Sequence, residues 1–241
     1  MTLRLQVTCQ CLRRFRAQYK YREASGTMNK IITTELYDLI RHSHTPGTDV
    51  VLYITSRNFD SDAAGICDKL SREVNFYELR VDNWDDNLTP WPADAKMKGR
   101  TFGGNAADLL SAVLREIIPE VKEGDSRIFI AGYSLAGLFS LWALYESNVF
   151  SGCACCSGSL WYPGWAEYAG THKIHLPSKV YLSVGDREKN SKNEYMKKVE
   201  EAYKIQRELL GTDAYFELNE GGHFSDVNAR VVKGINRLLS N

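Results

Sequence analysis

Two periodicities alternate along most of the chain. From Asp49 onward, short apolar runs rich in β-branched and aromatic residues are separated by stretches in which apolar positions recur every three or four residues. The runs at 50–54 (VVLYI), 75–81 (NFYELRV), 128–131 (IFIA), 179–184 (KVYLSV) and 214–218 (AYFEL), with the segment VFSGCACCSG, predict strands. Helical spacing falls at 63–72, at 105–118, from Leu135 onward, at 191–210 with Gly211 as its C-cap, and at 227–239. In the second of these the stripe is Leu109, Leu110, Val113, Leu114, Ile117 and Ile118, with Pro119 as its stop. Strands alternating with helices imply parallel strands joined by helical crossovers, hence an α/β fold.

Between the second strand and the 105–118 helix runs DNWDDNLTPWPADAKMKGRTFGG, a long, aromatic, turn-rich loop of the kind more often functional than idle. There is no internal repeat or low-complexity tract.

The 241 residues, 44% hydrophobic and 25% charged, suit one compact domain with a sizeable core. A formal net charge of zero gives nothing global to attract nucleic acid or an anionic membrane. Residues 1–27 differ, with Arg4, Arg13, Arg14, Arg16, Lys20 and Arg22 against the single acid Glu23. This basic segment is expected to be an upstream extension or poorly ordered arm, with Met28 as a candidate native start and 28–241 as the domain. An edge strand at LRLQVTC is the competing reading. No run approaches the roughly 20 apolar residues of a membrane span or forms a signal-peptide core, and a soluble, cytoplasmic protein is expected. The pattern sets no oligomeric state.

The chemistry concentrates where the strand at 128–131 breaks into helix. Gly132-Tyr133-Ser134-Leu135-Ala136-Gly137 matches the nucleophile elbow, which holds a serine on a strained turn above the sheet and needs small residues two positions before and after it. Ala136 replaces the second glycine of G-x-S-x-G, a difference of one methyl. The helix start at Leu135 offers its N–H and a partial positive charge to an oxyanion. A plain glycine-rich turn is the competing reading, and the later chain argues against it. VYLSVGDRE supplies an acid and ELNEGGHF supplies His223, each directly after a predicted strand and in the order serine, acid, histidine. The acid is Glu188 or Asp186. Glu188, three residues after Gly185, is favoured, and Asp186 is read as a turn residue. A second oxyanion donor is expected within 55–58, with Arg57 named for it.

His42 and His44, and His172 and His175, have metal-like spacing, yet no carboxylate or cysteine cluster completes a set, so solvated loop histidines are expected and no metal. Cys153, Cys155 and Cys156 are read as buried free thiols on a strand. Trp84, Trp91, Trp161 and Trp165 lie at or beyond carboxyl ends of strands, where an open α/β sheet binds ligands. They are candidates for an aromatic pocket wall, with Trp84, Trp91 and Trp161 as substrate-binding residues.

GYSLAGLFSLWALYESNVFSGCACCSGSLWYPGW and SVGDREKNSKN resemble the esterase D and enterochelin esterase group of the α/β-hydrolase fold, and DNWDDNLTPWPA resembles the tryptophan-rich loop of its bacterial members. The resemblance covers roughly residues 50–239. It implies a mostly parallel central sheet with helices on both faces, a serine carboxylic-ester hydrolase with a Ser, acid, His triad, a small-molecule ester substrate and no cofactor, and an acid that matches Glu188. The group begins with antiparallel strands, and little before Asp49 fits that pattern. The triad chemistry would also serve an acyltransferase, and the fold alone a binding protein without catalysis.

Overall fold

The computed structural model describes residues 18–21, 30–97, 100–175 and 179–240. Nine strands form one sheet: β1 (Gln18–Tyr21), β2 (Lys30–Thr33), β3 (Tyr37–Ser43), β4 (Val50–Ser56), β5 (Asn75–Val81), β8 (Ile128–Tyr133), β9 (Gly152–Cys156), β10 (Lys179–Gly185) and β11 (Ala214–Asn219). Their spatial order is β1-β2-β3-β5-β4-β8-β9-β10-β11. Six strands from β5 to β11 run parallel, and β1, β2 and β3 complete the β5 side antiparallel.

Strict alternation within the strands decides which helix covers which face. Val50, Leu52 and Ile54, Ile128 and Ile130, and Val180 and Leu182 face one layer, which holds α3 (Ala106–Ala112), α4 (Ile118–Val121), α5 (Leu135–Glu146), α6 (Trp165–Thr171) and α7 (Val199–Leu210). Val51, Tyr53, Phe129, Ala131 and Tyr181 face the other, built on α1 (Ala63–Cys67) and the Val231, Ile235 and Leu238 stripe of α8 (Val227–Leu239). Burial on both faces explains why these strands are continuous apolar runs. Each fully buried side chain of this size contributes about 1.5–3 kcal/mol.

Several expectations need correction. The antiparallel strands before Asp49 are present. Tyr37 and Leu39 of β3 are buried while Asp38 and Ile40 are less so, a period-2 pattern too short to stand out, and β2 joins β3 through the hydroxyl and N–H of Thr34 at the turn. Within the basic segment, Gln18–Tyr21 pairs as β1 against β2, which leaves open whether the segment is an upstream extension. The proposed strand at LRLQVTC lies outside the described residues. Pro119 does not stop its helix: α3 continues through a π-helical turn, Val113–Ile117, into α4, whose first turn holds the proline. A proline ring clashes with the carbonyl four residues earlier in a regular helix, and a wider turn before it relieves that clash. The aromatic loop contains its own structure, α2 (Trp84–Asn87) and the hairpin of β6 (Ala93–Met97) and β7 (Arg100–Phe102). Among the described residues no helix is long and apolar enough to cross a membrane.

Carboxylates held in the charged form by hydrogen bonds and cations set the acid stability. Asp49 accepts from the backbone and guanidinium of Arg127 and pairs with Arg72. Burial alone would raise its pKa, and the Arg127 hydrogen bonds and charge bring it below the ordinary aspartate value. Glu78 and Glu217 are likewise lowered against the effect of burial, by His42 and Thr55 and by Lys233 and Tyr181. Groups whose native pKa lies below the unfolded value stabilise the fold at neutral pH and lose that contribution as pH falls through the native pKa. Urea unfolding is therefore expected to give a steady free energy near neutrality and a decline below about pH 4.5. A free energy that holds constant down to pH 3 would contradict this.

Candidate active site

The carboxyl ends of β8, β10 and β11 carry the predicted residues, and the register aligns them. Tyr133 pairs with Cys156 across β8 and β9, and Gly185 pairs with Asn219 across β10 and β11. Ser134 is the first residue past β8, Glu188 the third past β10 and His223 the fourth past β11.

Ser134 occupies φ 60°, ψ −122°, a conformation that L-residues rarely adopt. Its backbone is held at both ends: its N–H donates to Cys156 O at 3.2 Å, and its carbonyl accepts from Leu138 at 3.1 Å and Ser159 at 3.0 Å. Tight packing explains the small residues around it. A Cβ on Gly132 would lie 2.4 Å from the backbone carbon and oxygen of Ala136. Leu135 opens the twelve-residue α5, where N–H groups have no partner within the helix.

His223 Nε2 lies 3.1 Å from Ser134 Oγ, and Nδ1 lies 2.7 Å from Glu188 Oε2. With Nδ1–H donating to the carboxylate, Nε2 is left to accept the serine proton. The other oxygen of Glu188 accepts from Gly185 N–H at 2.7 Å and from Arg230 at 3.1 Å. Burial would raise the Glu188 pKa, but the hydrogen bond and charge of His223, with Gly185 and Ser157, hold it below the ordinary glutamate value. It is a carboxylate at neutral pH, with its side chain 5% exposed, while the His223 side chain is 28% exposed.

The carboxylate hydrogen-bonded to the histidine ring is that of Glu188, and Asp186 is engaged elsewhere. Its Oδ1 accepts from Gly221 N–H at 2.8 Å, tying the end of β10 to the glycine turn that presents His223. A Cβ on Gly185 would lie 2.3 Å from Gly221 O, so glycine is what lets this turn sit against the strand end.

Arg57 is not placed as expected. Strand β4 extends to Ser56, beyond the predicted 54, so the Arg57 N–H continues toward β5 and donates to Val81 O at 3.0 Å. Its guanidinium is fixed by Asp38 at 2.9 Å and by the carbonyls of Thr34 and Glu35. Arg57 therefore clamps the β2–β3 turn onto the end of β4. Asn58 N–H turns to Ser56 Oγ at 3.1 Å.

The tryptophans divide. Trp165 is buried in the core, its Nε1 donating to Gln206 at 2.9 Å. Trp84, Trp91 and Trp161 are half-buried against the larger core layer. Trp91 donates to Pro163 O at 2.7 Å and packs edge-on against Tyr162, while Trp161 rests on Phe102. Trp161 and Tyr162 follow Ser159, whose Oγ lies 3.4 Å from Ser134 Oγ.

His42 is not a solvated loop residue. It lies on β3 with its ring edge-on to Phe76 and Nε2 3.0 Å from the buried Glu78. His44 approaches Glu123 at 3.7 Å, and His172 stacks on Tyr168. Among the described residues no three His, Cys, Asp or Glu side chains group as metal ligands would. Cys153, Cys155 and Cys156 are free and buried on β9, and burial pushes the Cys155 thiol up to about 12.

Sequence reasoning missed Ser159, Arg230 and two exposed aromatics, Phe224 at 88% and Phe59 at 66%. The signal for Phe224 was present, since an apolar side chain directly after His223 in a polar loop has no core to enter.

The architecture and the placement of Ser134, Glu188 and His223 at one sheet edge define an α/β-hydrolase fold with a Ser–His–Glu constellation. Solved structures of the same fold cover nearly the whole chain. An IroE-like serine hydrolase from Shewanella oneidensis is 16% identical, over 92% of this chain and 79% of its own, with a TM-score of 0.65. The siderophore hydrolase EstB from Aspergillus nidulans is 16% identical, over 92% and 94%, with a TM-score of 0.59. The enterobactin esterase FES from Shigella flexneri is 17% identical, over 93% of this chain and 59% of its own, with a TM-score of 0.60. No family model and no curated protein sequence matches the chain.

Proposed function

We propose that the protein is a serine carboxylic-ester hydrolase acting through an acyl-enzyme on Ser134. The observation that carries this reading is the unbroken hydrogen-bonded line from Ser134 Oγ through His223 to Glu188, 3.1 and 2.7 Å, on a strained elbow. His223 takes the Ser134 proton as Oγ attacks the ester carbonyl, then gives it to the leaving alcohol, and Glu188 holds the tautomer and stabilises the imidazolium. The Leu135 N–H faces the developing oxyanion. Water then attacks the acyl-enzyme with His223 again as base, and the partial exposure of that ring supports access for water over an excluded site.

The substrate is a small-molecule ester. Trp84, Trp91 and Trp161, with Phe224 beside His223, are the proposed apolar wall. Neighbours named for siderophore hydrolysis make a siderophore ester the first natural substrate to try. Initial rates on p-nitrophenyl esters from acetate to octanoate test the reading. Saturable hydrolysis of the shorter acyl chains is expected, and folded protein inert toward every ester, siderophore included, would sink it.

A further inference from the structure

Arg230 lies on α8 one turn before Gly234. A Cβ on Gly234 would meet Cys156 Sγ and Tyr181 Cδ1, both at 2.9 Å, so the helix packs directly on β9 and β10. That approach brings Arg230 beneath the carboxyl end of the sheet, where it is 2% exposed. Its Nη1 lies 3.1 Å from Glu188 Oε1, 3.1 Å from the Tyr133 phenol and 3.0 Å from Ser157 Oγ. Its Nη2 donates to the carbonyls of Glu220 at 2.8 Å and Gly222 at 3.1 Å, within the turn that leads to His223. Tyr133 in turn donates to the carbonyl of His223 at 2.6 Å, and burial, which outweighs the Arg230 charge, pushes its phenol up to about 12. One guanidinium thus touches the acid, the residue before the nucleophile and the histidine loop.

Packing alone does not call for such a group. Well-packed apolar residues often replace buried ion pairs without loss of stability. The planar fork of arginine, by contrast, reaches several acceptors at fixed angles, which a lysine ammonium does not.

Resting on the esterase reading above, we propose that Arg230 is a positioning residue. It turns Glu188 Oε2 toward His223 Nδ1 and holds the histidine loop so that Nε2 meets Ser134. Gly185 is part of the same device, because a Cβ there would lie 3.0 and 3.1 Å from the two terminal nitrogens of Arg230.

The test compares wild type, Arg230→Lys and Arg230→Met by kcat and KM on a p-nitrophenyl ester, by the rate of inactivation with a fluorophosphonate, and by the downfield proton resonance of His223 Nδ1–H. For Arg230→Met, kcat and the inactivation rate are expected to fall together by about a hundredfold, the scale of a 1 Å misplacement. Arg230→Lys should lose less, KM should hold in both, and the Nδ1–H resonance should shift or broaden. A purely structural arginine would leave the folded variants at the wild-type rate with that resonance unmoved, which overturns the proposal. Should Arg230→Met not fold, Arg230→Lys decides: wild-type kcat overturns, and lowered kcat at constant KM supports. A folded wild type that neither hydrolyses ester nor reacts with the fluorophosphonate overturns the esterase reading itself. A reactive wild type with equally reactive variants overturns only the role of Arg230.

Discussion

Ser134→Ala is expected to abolish ester hydrolysis, lowering kcat by on the order of 10⁴- to 10⁶-fold. The substitution removes only Oγ, the one atom of residue 134 that meets His223. The backbone bonds that fix the elbow, to Cys156, Leu138 and Ser159, belong to the main chain and survive it. Stability should therefore change little, and alanine bears the positive φ no better than serine does. Circular dichroism and thermal melting beside the p-nitrophenyl assay check both halves. Residual hydrolysis near the wild-type rate would point to another nucleophile, with Ser159, 3.4 Å away, the first to examine.

Glu188→Gln is expected to lower kcat by about 10⁴-fold, because a neutral amide neither fixes the productive tautomer nor stabilises the imidazolium. It should also destabilise the protein by about 3–5 kcal/mol, since it leaves the buried guanidinium of Arg230 without its counter-charge. Asp186→Asn provides the contrast. Asp186 is 45% exposed and holds the histidine turn through one hydrogen bond to Gly221, so a cost of about 1 kcal/mol and a small fall in kcat are expected. Steady-state kinetics and urea titrations on the two variants separate these effects. Equal losses of kcat would mean that the acid has been misassigned between the two carboxylates.

The parts of the site legible in the sequence are those where a local steric demand leaves a residue signature. An apolar strand ending in Gly-x-Ser-x-Ala announces the elbow, because a Cβ on Gly132 would collide with Ala136. Glu188 and His223 were placed by their offsets from the ends of strands, and a buried parallel strand is the easiest element to read. The failures are non-local. The Arg57 N–H turns to Val81 rather than into a free loop because β4 runs on to Ser56, and no local pattern distinguishes that extension from the loop. Strand β2 has only four residues and β3 is buried only at Tyr37 and Leu39, so their alternation is weak, and Pro119 reads as a stop because a π-helical turn leaves no compositional trace. Arg230 was invisible for a related reason. A charged residue on an amphipathic helix reads as solvent-facing, and its burial depends on the close approach of α8 to β9 and β10 at Gly234 and on the room left by Gly185 at the end of β10, contacts with elements remote in sequence.

Intact-mass analysis after treatment with a fluorophosphonate, followed by peptide mapping, tests the central claim most directly. A single adduct on Ser134 is expected in the wild type and none in Ser134→Ala. Folded wild-type protein that takes no adduct, or takes it at another residue, would contradict the assignment of Ser134 as the nucleophile.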